Sequence, residues 1–238
     1  MKKIIALLVL SAMILSLAAC SGKAEEEDTP VIDDGAAAGG WTVNADAEGS
    51  IPDDVKASFD AALEGMDGAK LEPIALLGTQ VVAGTNSLIL CKSTPVTPTA
   101  GAKWVLARLY AGVDGTNEIK TADFNFASYR DAESEGVEKE TLCGGWNVAE
   151  EIAEAKLDER AQAAFDGVTA GLMGAKMEPI ALLGTQVVAG TNFAFLAKAT
   201  TPSADAASNL CVLFVYADLE GNYELLNVAD INLTEIEF

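Results

Sequence analysis

The chain is 238 residues long and half apolar, with 15 basic against 36 acidic side chains and a formal net charge of −21. Such a charge repels nucleic acid and anionic lipid headgroups, so neither is expected as a partner. It holds no histidine, which excludes Ser-His-Asp and Cys-His hydrolytic centres and removes the commonest zinc ligand, so no enzyme, cofactor or metal is expected.

Lys2 and Lys3 precede an apolar run from Ile4 to Leu17, followed by Ala18-Ala19-Cys20. The run is shorter than the about 20 residues a bilayer span needs, and a basic start with small residues at its end reads as a secretory signal over residues 1–20. Leu-Ala-Ala-Cys resembles a bacterial lipoprotein signal. That resemblance implies cleavage before Cys20, lipid on its thiol, and anchorage at a cell surface or periplasmic face. Residues 21–38 are acidic, small and aperiodic, and are expected to form a disordered tether of roughly 25 Å end to end.

An internal repeat dominates the rest of the chain. Gly68–Asn86 reads GAKLEPIALLGTQVVAGTN and Gly174–Asn192 reads GAKMEPIALLGTQVVAGTN, with only Leu71 and Met177 differing. The flanking stretches have drifted much further. A repeat of this kind predicts two units of one fold, 39–127 and 144–238, joined by an acidic linker over 128–143.

Within the first unit, Ile51, Val55, Phe59, Ala62, Leu63 and Met66 recur at helical spacing. Ser50 is placed to cap that helix, Asp53 and Asp54 sit in its first turn, and Gly68 stops it. Strands are predicted over Glu72–Val82 and Thr85–Ser93, divided at Ala83-Gly84 by a tight hairpin turn. Two more follow over Trp104–Ala111 and Asn117–Ala127, joined through Gly112-Val113-Asp114-Gly115. The second unit repeats the pattern, with a helix through Leu157, Ala161, Phe165 and Leu172 and strands over Thr191–Thr200, Leu210–Ala217 and Tyr223–Leu233. One helix followed by four antiparallel strands, twice, predicts an α+β fold.

Beyond Cys20 there are Cys91, Cys143 and Cys211. No Cys-x-x-Cys spacing suggests a metal site. Cys91 aligns with Ala197 and Cys211 with Val105, so neither repeat carries its own disulfide. Buried thiols, or a bridge between repeats or between chains, remain as alternatives.

Gln-Val-Val-Ala-Gly in the first hairpin behind a single helix, with Gly39-Gly40 and Gly144-Gly145 upstream, resembles the cystatins. The resemblance covers Gly39 to about Phe126 and Gly144 to about Phe238. It implies tandem cystatin-like units, each one helix packed on an antiparallel four-stranded sheet, and inhibition of papain-like cysteine peptidases by a wedge that fills the active-site cleft. The residues that would touch the peptidase are Gly40, Gln80, Val81, Val82, Ala83 and Gly84 in one repeat. In the other they are Gly145, Gln186, Val187, Val188, Ala189 and Gly190.

Val82 and Val188 near a narrow turn expose apolar surface suited to a partner. The family's second hairpin commonly carries Pro-Trp. Here Val113-Asp114-Gly115 and Leu219-Glu220-Gly221 stand instead, so an apolar anchor is absent and a carboxylate replaces an aromatic. Trp41 and Trp146, directly after the glycines, either anchor the wedge or pack the segment on the sheet. The alternative function is a non-inhibitory binding or adhesion lipoprotein, which would depend on those tryptophans and the acidic turns.

Overall fold

The computed structural model describes residues 39–44, 49–64, 66, 68–96, 101–130, 145–148, 157–202 and 207–238. The signal, the tether, Cys20, Cys143, Gly144 and most of the linker lie outside the described residues.

Helix α1 spans Asp53–Leu63, with Asp53 and Asp54 in its first turn. There they complement the helix dipole. Pro52 rather than Ser50 stands at the cap position, and it supplies no side-chain hydrogen bond. Helix α2 spans Glu159–Thr169 and has a side-chain cap: the Asp158 carboxylate accepts from the Ala161 amide at 2.7 Å. Gly68 and Gly174 follow the helices at φ +126° and +108°, values that favour glycine.

Each half then builds five strands. In the first they are β1 (Trp41–Val43), β2 (Ala69–Val82), β3 (Gly84–Pro95), β4 (Lys103–Gly112) and β5 (Asn117–Asp123). The second has β6 (Asn147–Val148), β7 (Lys176–Val188), β8 (Gly190–Thr200), β9 (Ser208–Ala217) and β10 (Tyr223–Ile231). The sheets are antiparallel, ordered β1-β2-β3-β4-β5 and β10-β9-β8-β7-β6. The long first hairpin bends at bulges between Pro73 and Ala75 and between Leu76 and Gly78, and at the same places in the second copy. Proline cannot donate to a ladder, so a bulge there leaves no unmet partner.

Alternation along the strands gives each sheet two apolar faces. Ile89, Cys91, Val105, Ala107 and Leu109 meet Phe59 of α1 in one cluster. On the opposite face Leu88, Leu90, Trp104 and Leu106 join Leu183, Leu196, Val212 and Phe214 of the other half in a single core. The second sheet takes α2 on its remaining face, where the Phe165 and Phe195 rings meet edge-on at 5.4 Å. The layers therefore run helix, sheet, sheet, helix.

This corrects the expected fold. The described residues are mostly β, two antiparallel five-stranded sheets with two helices, and are not a pair of cystatin-like units each made of one helix on four strands. Two physical reasons account for the difference. The glycine-led segments add β1 and β6 as extra edge strands, too short to show a period. The sheet faces away from the helices are apolar and bury against one another rather than facing water. Ser128–Arg130, inside the stretch read as linker, belongs to a 3-10 turn over Phe126–Arg130. Asn227 Nδ2 donates to the Tyr129 and Arg130 carbonyls at 3.1 and 3.0 Å, tying that turn to β10.

Trp104 links the halves by a buried hydrogen bond. Its indole N–H donates to the Leu183 carbonyl at 2.6 Å, and both groups are buried. Trp104→Phe should cost about 1–3 kcal/mol by orphaning that carbonyl, and Trp104→Ala about 3–5 kcal/mol. At this chain size each kcal/mol lowers the melting midpoint by about 2–4 °C, which thermal unfolding will read.

Cys91 and Cys211 are free and buried on the helix-facing sides of their sheets. Burial pushes the Cys91 thiol far above its usual range. Cys211 rises to about 12 by burial, with the charge of Asp230 adding to it. Both thus behave as small hydrophobes, and no bridge joins these two.

The sheets also carry matched ion pairs. Lys70 Nζ lies 2.5 Å from Glu72 Oε1, and Lys176 Nζ 2.6 Å from Glu178 Oε1. Glu178 also faces the buried Lys198 at 3.4 Å. The Lys176 hydrogen bond, reinforced by Lys198, holds the Glu178 carboxyl below its usual range; Lys70 does the same for Glu72. A depressed folded value means the unfolded chain binds more protons in acid. The stabilisation is therefore present above about pH 4.3 and lost as pH falls through the folded value. The melting midpoint should drop between about pH 5 and pH 3, and drop less in Glu72→Gln/Glu178→Gln.

Candidate functional site

The first hairpin closes very tightly: Val82 pairs with Gly84 around Ala83. Gly84 has φ +132°, and a Cβ there would stand 2.3 Å from the Ala111 carbonyl oxygen. Only glycine lets β3 approach β4 so closely at its first residue. Gly190 repeats this, at φ +133° and 2.3 Å from Ala217 O. A tyrosine locks each tip from the neighbouring strand. Tyr110 Oη donates to the Ala83 carbonyl at 2.6 Å, and Tyr216 Oη to that of Ala189 at 2.5 Å.

Gln80 joins three segments. Its Oε1 accepts from Asn86 Nδ2 across the hairpin at 2.7 Å, and its Nε2 donates to the Gly39 carbonyl at 2.8 Å. Gly40, exposed, thus sits beside the hairpin, one residue before β1. Gln186 accepts from Asn192 at 2.8 Å in the same way, but Arg130 reaches its Oε1 at 3.4 Å and the residue is only 1% exposed. Gln186 is therefore buried within the fold, whereas Gln80 is half-exposed.

Beside each hairpin stands the turn after β4 or β9. Gly84 pairs directly with Gly112, which places the β4–β5 turn next to Ala83. The Gly112 amide donates to Thr116 O at 2.8 Å and closes that turn. Asp114 is occupied internally: its carboxylate accepts the Thr116 amide at 3.0 Å, a bond that holds it below the usual range. Asp218 braces the matching turn, and its carboxyl is lowered first by Asn222 Nδ2 at 2.7 Å and then by backbone amides. These carboxylates build the turns. The residues facing outward include Val113 at 90% and Leu219 at 83% exposure, with the exposed Glu220 beside Leu219 in the second turn.

One edge of the first sheet therefore gathers the Gly39-Gly40 segment, the Val81–Gly84 tip and Val113. The second sheet gathers exposed Gly145, the Val187–Gly190 tip and Leu219 on an edge of its own. Val81 is 66% exposed and Val187 67%; Val82 and Ala83 are also open, Ala189 is exposed and Val188 half-buried. Val113 and Leu219 are exposed aliphatic residues that the sequence pattern did not single out, because the resemblance to cystatins directs attention to a Pro-Trp pair. The signal was a lone aliphatic residue inside a glycine- and acid-rich turn.

The tryptophans do not join these edges as free anchors. Trp41 is half-buried and pairs with Gln80 on β2. Trp146 packs edge-on between Phe126 at 5.4 Å and Phe214 at 5.7 Å. Both side chains pack against the shared core. Among the described residues no group of three or more His, Cys, Asp or Glu is placed to hold a metal, and no helix is long and apolar enough to cross a membrane.

No protein-family model matches the chain, and searches of curated proteins and of solved structures return no match. The edges themselves must carry the functional reading.

Proposed function

We propose that the chain is a lipid-anchored, extracytoplasmic inhibitor of papain-like cysteine peptidases, whose hairpin edges occlude the active-site cleft. The observation that carries this is the exposure of Val81 and Val187 within a repeated block whose other residues are largely used by the fold. Pro73, Gly78, Gln80, Gly84 and Asn86 each have an internal role. The exposed valines have none, yet they are identical in both copies.

A thin apolar tip flanked by Val113 and the Gly39-Gly40 segment fits a narrow cleft rather than a flat surface. Burying those side chains supplies the binding free energy. The hairpin ladder, the Tyr110 lock and the Gln80 bridge fix the edge before binding, which lowers the ordering cost. The tip also resists cleavage. A closed turn whose Ala83 carbonyl is held by Tyr110 cannot lie extended across a nucleophile, so the partner is blocked without being offered a scissile bond. Anchorage through Cys20 rests on the sequence alone.

The adhesion alternative rests on the tryptophans and the acidic turns; both tryptophans pack against the core, Asp114 and Asp218 brace their turns, and Glu220 stays exposed. The test is hydrolysis of a small chromogenic peptide by papain with the chain from Ser21 onward added. Reversible competitive inhibition with the chain recovered uncut supports the proposal. Cleavage between Val81 and Gly84, or no effect at micromolar concentration, overturns it.

A further inference from the structure

We infer that the two edges stand at opposite ends of the sandwich and that one chain holds two peptidase molecules at once. This inference rests on the reading of the edges as peptidase-binding, and goes beyond it in stoichiometry and geometry. Strand directions place the two tips. In the first sheet β5 runs away from the tip, since Asn117 pairs with Ala111 and Asp123 with Val105. The chain after β5 thus emerges at the base of that sheet, where the Phe124 amide donates to the Trp104 carbonyl at 3.0 Å.

That base lies over the tip region of the other sheet. The Phe126 ring comes within 2.9 Å of where a Gly184 Cβ would sit, Arg130 reaches Gln186, and Trp104 bonds to Leu183. All three partners are within five residues of Val188, the last residue of β7. The reciprocal contact exists too. Leu233, just past β10 at the base of the second sheet, lies 3.7 Å from the Cβ position of Gly78, near the first tip. The base of each sheet therefore covers the tip end of its partner, and the tips point in opposite directions.

Strands of this length rise about 3.3 Å per residue, so the tips stand on the order of 40 Å apart. A globular partner of about 200 residues has a radius of gyration of about 16 Å, and two such bodies at opposite ends do not collide. Tips at a common end would force them to compete for the same space. Each tip is closed by its own hairpin and its own tyrosine, Tyr110 or Tyr216, and the two edges share no residue.

Sedimentation velocity with papain whose catalytic thiol is blocked by alkylation decides the matter. Excess probe should saturate at two papain molecules per chain. Val81→Asp/Val113→Asp should leave one, as should Val187→Asp/Leu219→Asp, and the four-fold variant none. Saturation at one per chain, with both edge variants still binding one, would mean exclusive occupancy and overturn the inference while the inhibitor reading stands. One per chain lost entirely with a single edge would show a single working site, and equally overturn it. No complex at all would remove the inhibitor reading itself, and this inference with it.

Discussion

Cutting the chain between its repeats should leave neither half stably folded. In the first half Leu77, Leu88, Leu90, Trp104 and Leu106 are buried by the second. At about 1.5–3 kcal/mol for each large side chain returned to water, the loss is about 8–15 kcal/mol. That matches the whole stability of an ordinary domain, about 5–15 kcal/mol. The second half loses the matching contacts of Leu183, Leu196 and Phe214, and Trp146 loses Phe126. Residues 36–130 and 145–238 expressed separately should therefore bind hydrophobic dyes or self-associate, with little near-ultraviolet dichroism. Mixing the two should restore a cooperative transition. A monomeric half that melts cooperatively by itself would show that the inner faces are not a shared core.

The second large effect concerns the tips. Val81→Asp with Val187→Asp should weaken papain inhibition by about 30- to 1,000-fold at each edge, because a carboxylate forced into an apolar cleft costs about 2–4 kcal/mol. Both positions are open, so the melting midpoint should move little, as expected of surface changes within about 0.5 kcal/mol. Inhibition constants and thermal melts on the same samples separate the contributions. Val81→Thr with Val187→Thr, nearly isosteric, should weaken inhibition far less. Inhibition within about three-fold of the parent in the aspartate variant would remove the tips from the interface. Gly84 and Gly190 serve this purpose poorly. Their positive φ and the 2.3 Å approach to the next strand mean that a side chain reshapes the hairpin as well as its contact surface.

Much of each half was legible from periodicity and turn chemistry. Helical spacing through Val55, Phe59 and Ala62 located α1, and Ala83-Gly84 located the first turn. The shortest elements escaped. Trp41–Val43 and Asn147–Val148 are strands of three and two residues, below the length at which alternation is visible. Their presence is written instead in Gly78 and Gly184, whose Cβ positions would lie 2.8 Å from the Thr42 and Asn147 carbonyl oxygens. A glycine inside an apolar strand signals such a close approach.

The face-to-face packing was hidden for another reason. A strand buried on both sides reads as a continuous apolar run, and Phe193–Ala197 or Leu210–Val215 does not say what covers the second face. A repeated fold unit suggested two domains, whereas here the two copies complete one core. The positions of the two hairpin turns were readable from motif and spacing. Val113 and Leu219 were not, since only the internal use of Asp114 and Asp218 reveals that the aliphatic neighbour is the outward one.

Inhibition of this kind requires that the edges cover the cleft around the partner's catalytic cysteine. The most direct measurement is the rate at which iodoacetamide alkylates papain's catalytic thiol as the chain is titrated in. Occlusion predicts that alkylation slows in proportion to the papain bound, and that the four-fold tip variant gives no protection. Binding with an unchanged alkylation rate would place the chain away from the partner's cleft and contradict occlusion.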